Sequence, residues 1–172
     1  MKKLTACIFC VLVLFIIVGC EEKISDDLVI IMDKKSFDNE FALWENQILK
    51  SYQFNYLFSY SSAVPVGPIK VTVNENNEPI IEKEPDVHFH EYFNNTIYGI
   101  YNYIFSTFNY IESVKNGTYN DSGNKIKKIE LKITYDKQYH FPTEANLSTY
   151  YSEPVGGGVS YNLKINNFTS LE

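Results

Sequence analysis

The chain has 172 residues, a formal net charge of −6 and hydrophobic residues at 45% of its positions. This length is enough for one domain that buries its own core. The acidic charge disfavours nucleic acid as a partner, and the sequence contains no arginine, whose planar fork commonly binds phosphate groups. We therefore predict one domain with no nucleic-acid partner, and no motif indicates a cofactor.

The N-terminal segment has the layout of a secretory signal peptide. Two lysines precede an apolar run over residues 4–18, which is shorter than the roughly 20 residues that span a bilayer. The run ends in the tetrapeptide IVGC, which resembles a bacterial lipobox with Ile17 in place of the usual leucine. This resemblance implies cleavage between Gly19 and Cys20, and attachment of fatty acyl chains such as palmitate to Cys20. An uncleaved N-terminal anchor is the alternative.

Removal of the signal peptide, residues 1–19, changes the composition of the mature chain. Cys7 and Cys10 leave with it, so that Cys20 is the only cysteine and no disulfide is possible within the chain. Two lysines and no acidic residue leave, which lowers the formal net charge from −6 to −8. We expect a lipid-anchored protein of the bacterial cell envelope, on the outer membrane or the outer face of the cytoplasmic membrane. Its membrane contact would be the acylated Cys20, because two or more acyl chains anchor stably.

Residues 20–35 are predicted to be the acylated cysteine and a charged tether, and residues 36–172 a single domain. The apolar patch over residues 28–32 either packs on the domain or forms a short strand. A first helix is predicted from Ser36 to about Ser51, because its large apolar residues recur at spacings of three and four. These residues are Phe37, Phe41, Trp44 and Ile48. A second helix is predicted to begin at Asn95 or Thr96, with an apolar stripe formed by Ile97, Ile100, Ile104, Phe108 and Ile111.

Alternating apolar and polar residues predict six strands. They lie near residues 52–60, 69–73, 80–83, 129–135, 146–151 and 159–165. The resulting order is α-β-β-β-α-β-β-β. Short turns between strands favour antiparallel pairing. We therefore predict an α+β fold in which two helices pack on one face of a meandering antiparallel sheet.

Several short segments resemble the DUF6174 family of bacterial lipoproteins. They are "YQFNY" after the first helix, "IKVTV" with its "NENNEPI" turn, "TIYGIYNYIF", and "LKITYD" followed by "YHFPTEA". The resemblance covers roughly residues 40–168 and implies a small exported domain of unknown function. The family offers no established catalytic residues to carry over. This chain lacks the cysteine pair that members often carry after the first strand.

The "YDKQYHFPT" segment is the candidate surface site, with Tyr135, Asp136, His140 and Pro142. One alternative is a small hydrolase in which Asp136, His140 and Glu144 act with a serine nucleophile at position 148, 152 or 160. No nucleophile-elbow motif frames these serines. The other alternative is that the segment has no functional role and is a turn that proline shapes, with solvated polar residues.

A second alternative is a metal site formed by His88, His90 and His140. Two histidines separated by one residue point the same way in a strand and suit zinc. Two such histidines without a nearby third ligand are a weak signal of a metal site. The alternative is that they are exposed loop residues that bind no metal. We therefore predict no metal and keep the three histidines as weak candidates.

The tyrosine-rich row from Tyr52 to Tyr60, with Tyr98, Tyr101 and Tyr103, has two readings. It is either a stacking platform for sugars or a partner, or a sheet face packed under the two helices. The sequence favours core for Trp44, Phe54 and Phe58, and leaves Tyr98 and Tyr150 open. The leading functional hypothesis is a non-enzymatic binding or scaffolding domain with an envelope protein as a possible partner.

Overall fold

The second helix shows how directly the sequence pattern determines local structure. A computed structural model describes residues 27–61, 65–82, 94–119, 124–154 and 158–171. In it, helix α2 spans Ile97–Lys115, and the Thr96 side chain accepts a hydrogen bond from Gly99 N at 2.9 Å. This bond satisfies one of the free amides at the helix start. The predicted start at Asn95 or Thr96 is therefore confirmed. The predicted apolar stripe is buried, comprising Ile97, Ile100, Ile104, Phe108 and Ile111.

The first helix differs from its prediction at both ends. Helix α1 spans Lys34–Glu45, and its cap is Asp33, whose carboxylate accepts from Ser36 N at 2.9 Å. At the other end the Asn46 side-chain amide donates to Ala42 O at 2.8 Å and takes up a terminal carbonyl. The predicted end near Ser51 is therefore wrong. Ile48 lies beyond the helix and is 87% exposed, so it does not share the buried face.

Seven strands of the described residues form one mixed sheet. The strands are β1 Val29–Ile31, β2 Tyr52–Tyr60, β3 Val66–Val73, β4 Pro79–Ile81, β5 Ile126–Tyr135, β6 Pro142–Tyr151 and β7 Tyr161–Ser170. Their order across the sheet is β1-β5-β6-β7-β2-β3-β4. All neighbours pair antiparallel except β1, which runs parallel to β5. The α+β fold with two helices is confirmed.

The connectivity of this sheet is richer than the predicted simple meander. Strands β2–β4 form one meander and β5–β7 another, and the two are joined by the β2–β7 pair. The element order begins with β1, which adds one strand to the predicted α-β-β-β-α-β-β-β. An alternating pattern indicates which residues form strands but not which strands become neighbours. It therefore did not predict the pairing of β2 with β7.

Strand β1 resolves the open question about residues 28–32. Leu28, Ile30 and Met32 pack against the core, whereas Val29 and Ile31 point away from it. The domain therefore includes β1, and the expected boundary at residue 36 falls inside α1. Strand β6 is also longer than predicted, because it begins at Pro142 rather than near Asn146.

Both helices cover one face of the sheet, and the other face is open. The alternation predicted in β2 is confirmed, because Tyr52, Phe54, Tyr56 and Phe58 are buried and the intervening residues are not. The open face carries mainly polar side chains from neighbouring strands, including Gln53, Asn55, Thr72, Glu130, Lys132, Glu144, Asn146, Asn162 and Lys164. The core reading of Trp44, Phe54 and Phe58 is confirmed.

Buried tyrosine hydroxyls connect the sheet to the second helix. Tyr56 donates to the Asn95 side chain at 2.7 Å, and Tyr52 Oη accepts from Ile97 N at 3.2 Å. Further along the helix, the hydroxyls of Tyr161 and Thr107 lie 3.0 Å apart. Burial raises the pKa of Tyr52 to about 12, an effect only partly offset by the bond from Ile97. It likewise raises the pKa values of Tyr56 and Tyr161.

These raised pKa values predict unfolding at alkaline pH. A tyrosine whose folded pKa exceeds its unfolded value of about 10 stabilises the fold fully below that value. The stability is then lost as pH rises towards the folded pKa of about 12 for Tyr52. Between about pH 8 and pH 11 we expect urea unfolding to show a loss of ~1.4 kcal/mol from Tyr52 alone. Tyrosinate absorbance from the buried set should rise only with unfolding, and a rise in the folded protein would contradict the burial.

Candidate functional site

The β5–β6 turn contains two of the four residues of the predicted surface site, Asp136 and His140. Asp136 Oδ1 accepts from Gln138 N at 2.8 Å and from Tyr139 N at 2.7 Å. The turn closes with backbone bonds from Asp136 N to Phe141 O and from His140 N to Asp136 O. The Asp136 carboxylate therefore shapes the turn, as aspartates commonly do.

His140 connects this turn to both helices. Its Nδ1 lies 2.8 Å from Glu40 Oε2 on α1, and both side chains are about one-quarter exposed. Its carbonyl accepts a hydrogen bond from the Tyr101 hydroxyl on α2. The backbone φ of His140 is +59°, in the left-handed region. Gln47 adds a bond to Tyr139 O at 2.5 Å. His140 thus connects the turn to both helices and has a structural role.

Tyr135 and Pro142 flank the turn but do not extend an exposed site. Pro142 is buried, and the Tyr135 hydroxyl is enclosed without a hydrogen-bond partner among the described residues. Burial raises the pKa of Tyr135, and the nearby carboxylates of Glu40, Asp33 and Asp38 add to the effect. Burial also raises the pKa of Tyr101. Both phenols therefore stay protonated over the physiological range.

The serines considered for a hydrolase lie far along the strands from His140. Ser148 is six residues beyond Pro142 on β6 and donates to Asn146 at 3.2 Å. Ser152 follows the end of β6, and Ser160 directly precedes β7 at that same end of the sheet. With a rise of about 3.3 Å per residue, these serines lie roughly 20–30 Å from the turn. Asp136 and His140 are brought together, but these nucleophile candidates are not.

Of the three weak metal candidates, the structure describes only His140. His88 and His90 lie outside the described residues. Within the described parts of the chain, no group of three His, Cys, Asp or Glu residues is arranged to hold a metal ion. His140 instead pairs with Glu40.

A cleft of about 290 Å³ is lined in part by Gln47, which bonds to the β5–β6 turn at Tyr139, and we call it the aromatic cleft. Five segments line it: the end of α1, the connection to β2, the first residue of β2, the β3–β4 turn and the start of α2. Its aromatic residues are Trp44, Tyr52 and Tyr98, and its other lining residues are Glu45, Gln47, Leu49, Lys50, Glu75 and Asn77. The volume lies at the lower end of the ~300–1,000 Å³ typical of ligand pockets. It therefore suits a ligand of one or two small rings.

The aromatic side chains of the cleft are held by their neighbours. Trp44 meets Tyr52 edge-on, with ring centroids 5.6 Å apart at an interplanar angle of 89°. Tyr98 packs against Phe41 at 5.8 Å and is 45% exposed. Because Tyr52 bonds to the start of α2 at Ile97, the helix places the neighbouring Tyr98 at the cleft. The cleft therefore has a fixed wall and one accessible aromatic side chain.

The polar rim of the cleft is carried by a well-bonded turn. Asn74 Oδ1 accepts from Asn76 N and Glu78 N, each at 3.0 Å, and its amide donates to Glu78. This network supports Glu75 and Asn77, and Asn77 adopts a φ of +61°. Two carboxylates, two amides and one ammonium line the cleft. Such a rim offers both donors and acceptors to a neutral polar ligand.

Sequence reasoning flagged Tyr98 but missed the rest of the cleft's rim. The lining residues come from positions 44–52, 75–77 and 98, so that no local motif contains them. The one signal of the cleft in the sequence was Tyr98, a large aromatic residue that lies off the apolar stripe of its helix. Tyr101 is buried in the core and Tyr103 packs against it, whereas Tyr150 is 48% exposed elsewhere on the sheet.

Comparisons with protein-family profiles, with curated proteins and with solved structures find no match to this chain. Among the described residues, neither helix combines the length and apolar character needed to cross a bilayer.

The Glu40–His140 pair should make a measurable contribution to stability. We expect Glu40→Gln to lower the free energy of unfolding by about 1 kcal/mol, between the values for exposed ion pairs and buried charged hydrogen bonds. His140→Asn is the matched change, because asparagine tolerates the positive φ at this position. Urea unfolding of both single variants and the double variant gives the coupling energy. Additive effects would show that the pair contributes nothing, and Glu45→Gln on the same helix is the control.

Proposed function

We propose that this protein is a lipid-anchored, non-enzymatic binding domain of the bacterial cell envelope that holds a saccharide in the aromatic cleft. The lipobox-like IVGC segment supports acylation at Cys20, and the basic and apolar residues before it support export. The resemblance to the DUF6174 lipoproteins supports the same location. Attachment would be at the outer membrane or the outer face of the cytoplasmic membrane.

The aromatic cleft carries the binding proposal. Aromatic rings stack on the C–H faces of sugar rings, and carboxylates and amides at the rim bond to hydroxyl groups. Tyr98 supplies the accessible ring, and Trp44 and Tyr52 form the largely buried wall beside it. Glu45, Gln47, Glu75 and Asn77 supply polar groups. Five of the nine lining residues are polar, more than in the mostly apolar pocket typical of small-molecule sites, and a hydroxyl-rich ligand can use these groups.

The charges around the cleft narrow the ligand class. Two glutamates and one lysine line it, and no arginine occurs in the sequence. Acidic side chains repel phosphate and carboxylate ligands, which usually bind to arginine forks. A neutral sugar or an amino sugar fits this balance better. Envelope polysaccharides are the accessible source of such rings for an exported protein.

Trp44 gives a direct test of binding because it is the only tryptophan in the sequence and it lines the cleft. We expect titration with glucose, N-acetylglucosamine or their disaccharides to change its fluorescence saturably. Tyr98→Ala should weaken the response at least tenfold, about 1.4 kcal/mol, through loss of the accessible ring. The control is Tyr150→Ala, which removes an equally exposed tyrosine away from the cleft.

Two outcomes would contradict the saccharide proposal. One is an unchanged Trp44 spectrum with all four sugars. The other is a saturable response to choline alone, which would assign the cleft to a cation held by its glutamates and aromatic rings.

Cys20→Ser tests the lipid anchor. We expect this variant to lose metabolic labelling with a palmitate analogue. The matched control is Cys7→Ser, which changes a cysteine inside the signal peptide and should keep the label. Retention of the label in Cys20→Ser would contradict acylation at this residue.

A further inference from the structure

An exposed apolar and basic patch lies at one corner of the sheet, on the face not covered by the helices. It comprises Val29 and Ile31 of β1, Lys128 of β5 and Tyr150 of β6, and we call it the corner patch. Val29, Ile31 and Tyr150 are 51%, 43% and 48% exposed. Exposed apolar side chains that cluster on one face indicate a candidate contact surface.

The strand register makes these residues neighbours. Val29 pairs with Lys128, which pairs with Tyr150 across β5 and β6. The Lys128 ammonium lies 5.2 Å from the centroid of the Tyr150 ring. Ile31 pairs with Glu130 one step along the same face. The patch is therefore continuous across three strands.

Lysines concentrate beside the corner patch. Lys125, Lys127, Lys128 and Lys132 fall within eight consecutive residues, in which Glu130 is the only acidic residue. Lys125 pairs with Asp27, and Glu130 is shared by Lys128 and Lys132. The local charge is thus positive in a mature chain whose formal net charge is −8. Lysine stems next to exposed apolar residues and a tyrosine are the composition of a surface that rests in the lipid headgroup region.

The expected acylation site is close to this corner along the chain. Only six residues separate Cys20 from Asp27, where the described structure begins. At no more than about 3.6 Å per residue, Asp27 lies within ~25 Å of an acylated Cys20. Asp27 is two residues before Val29 and pairs with Lys125. The patch is therefore the part of the open face nearest to the anchor along the chain.

We propose that the corner patch seats the domain on the lipid bilayer, with Val29, Ile31 and Tyr150 at the headgroup level and the flanking lysines on anionic lipids. This inference rests on the proposed lipid anchor. It fixes the orientation of the domain, because β1 is at one edge of the sheet and β3 is five strand spacings away. At about 4.8 Å per spacing, the β3–β4 turn of the aromatic cleft lies ~24 Å from β1 across the sheet.

Two isoleucines on opposite edge strands provide a matched test. Ile31 on β1 and Ile80 on β4 are both exposed, and the registers put both on the open face. Because Cys20 is the only cysteine of the mature chain and acylation blocks its thiol, Ile31→Cys and Ile80→Cys each give one reactive thiol. Each acylated variant is labelled with nitrobenzoxadiazole and placed in vesicles of phosphatidylethanolamine and phosphatidylglycerol. Vesicles with brominated acyl chains then report lipid contact.

We expect the probe at position 31 to shift to the blue in vesicles and to be quenched severalfold more by brominated lipid than the probe at position 80. Equal quenching at both positions, or none at either, overturns the seat while leaving the anchor intact. A blue shift at position 31 without quenching assigns the patch to a second copy of the chain and also overturns it. Mass spectrometry of Cys20 separates the two proposals, because an unacylated Cys20 overturns the anchor and the seat together.

Discussion

The pairing of β2 with β7 holds the molecule together, because it joins two three-stranded meanders that otherwise share no strand contact. The two strands pair from Tyr52 opposite Ser170 to Tyr60 opposite Tyr161. The core face of β2 carries four large aromatic side chains that pack under the helices. One continuous sheet results, and it is wide enough to separate the corner patch from the aromatic cleft.

Several core positions of this sheet are tyrosine rather than phenylalanine, and their hydroxyls connect the sheet to helix α2. A tyrosine buries its ring and presents a hydroxyl that must find a partner. Tyr52 and Tyr56 find theirs at the start of α2, and Tyr161 finds one in its middle. These bonds fix where α2 begins and hence where Tyr98 stands at the aromatic cleft. The core and the candidate site therefore depend on the same side chains.

The sequence was sufficient for the parts of the structure that rest on periodicity. The α2 stripe and the β2 alternation are confirmed, because spacing alone decides which residues share a face. The end of α1 was missed, because the Asn46 amide and not hydrophobic spacing determines it. The aromatic cleft was missed because residues from Trp44 to Tyr98 meet only after the strands have paired. The sequence motif located the turn at Asp136 and His140, but the hydrogen bonds of these residues show a structural role, in which they shape the turn and connect it to the two helices.

The central claim is that one sheet carries a membrane seat at one corner and a binding cleft away from the bilayer. The most direct test is Trp44 fluorescence in the acylated protein on vesicles with brominated acyl chains, titrated with N-acetylglucosamine. Our account predicts that Trp44 is not quenched by the lipid and responds to the sugar as strongly as it does in detergent. Quenching of Trp44 by brominated lipid, or loss of the sugar response on vesicles, would contradict it.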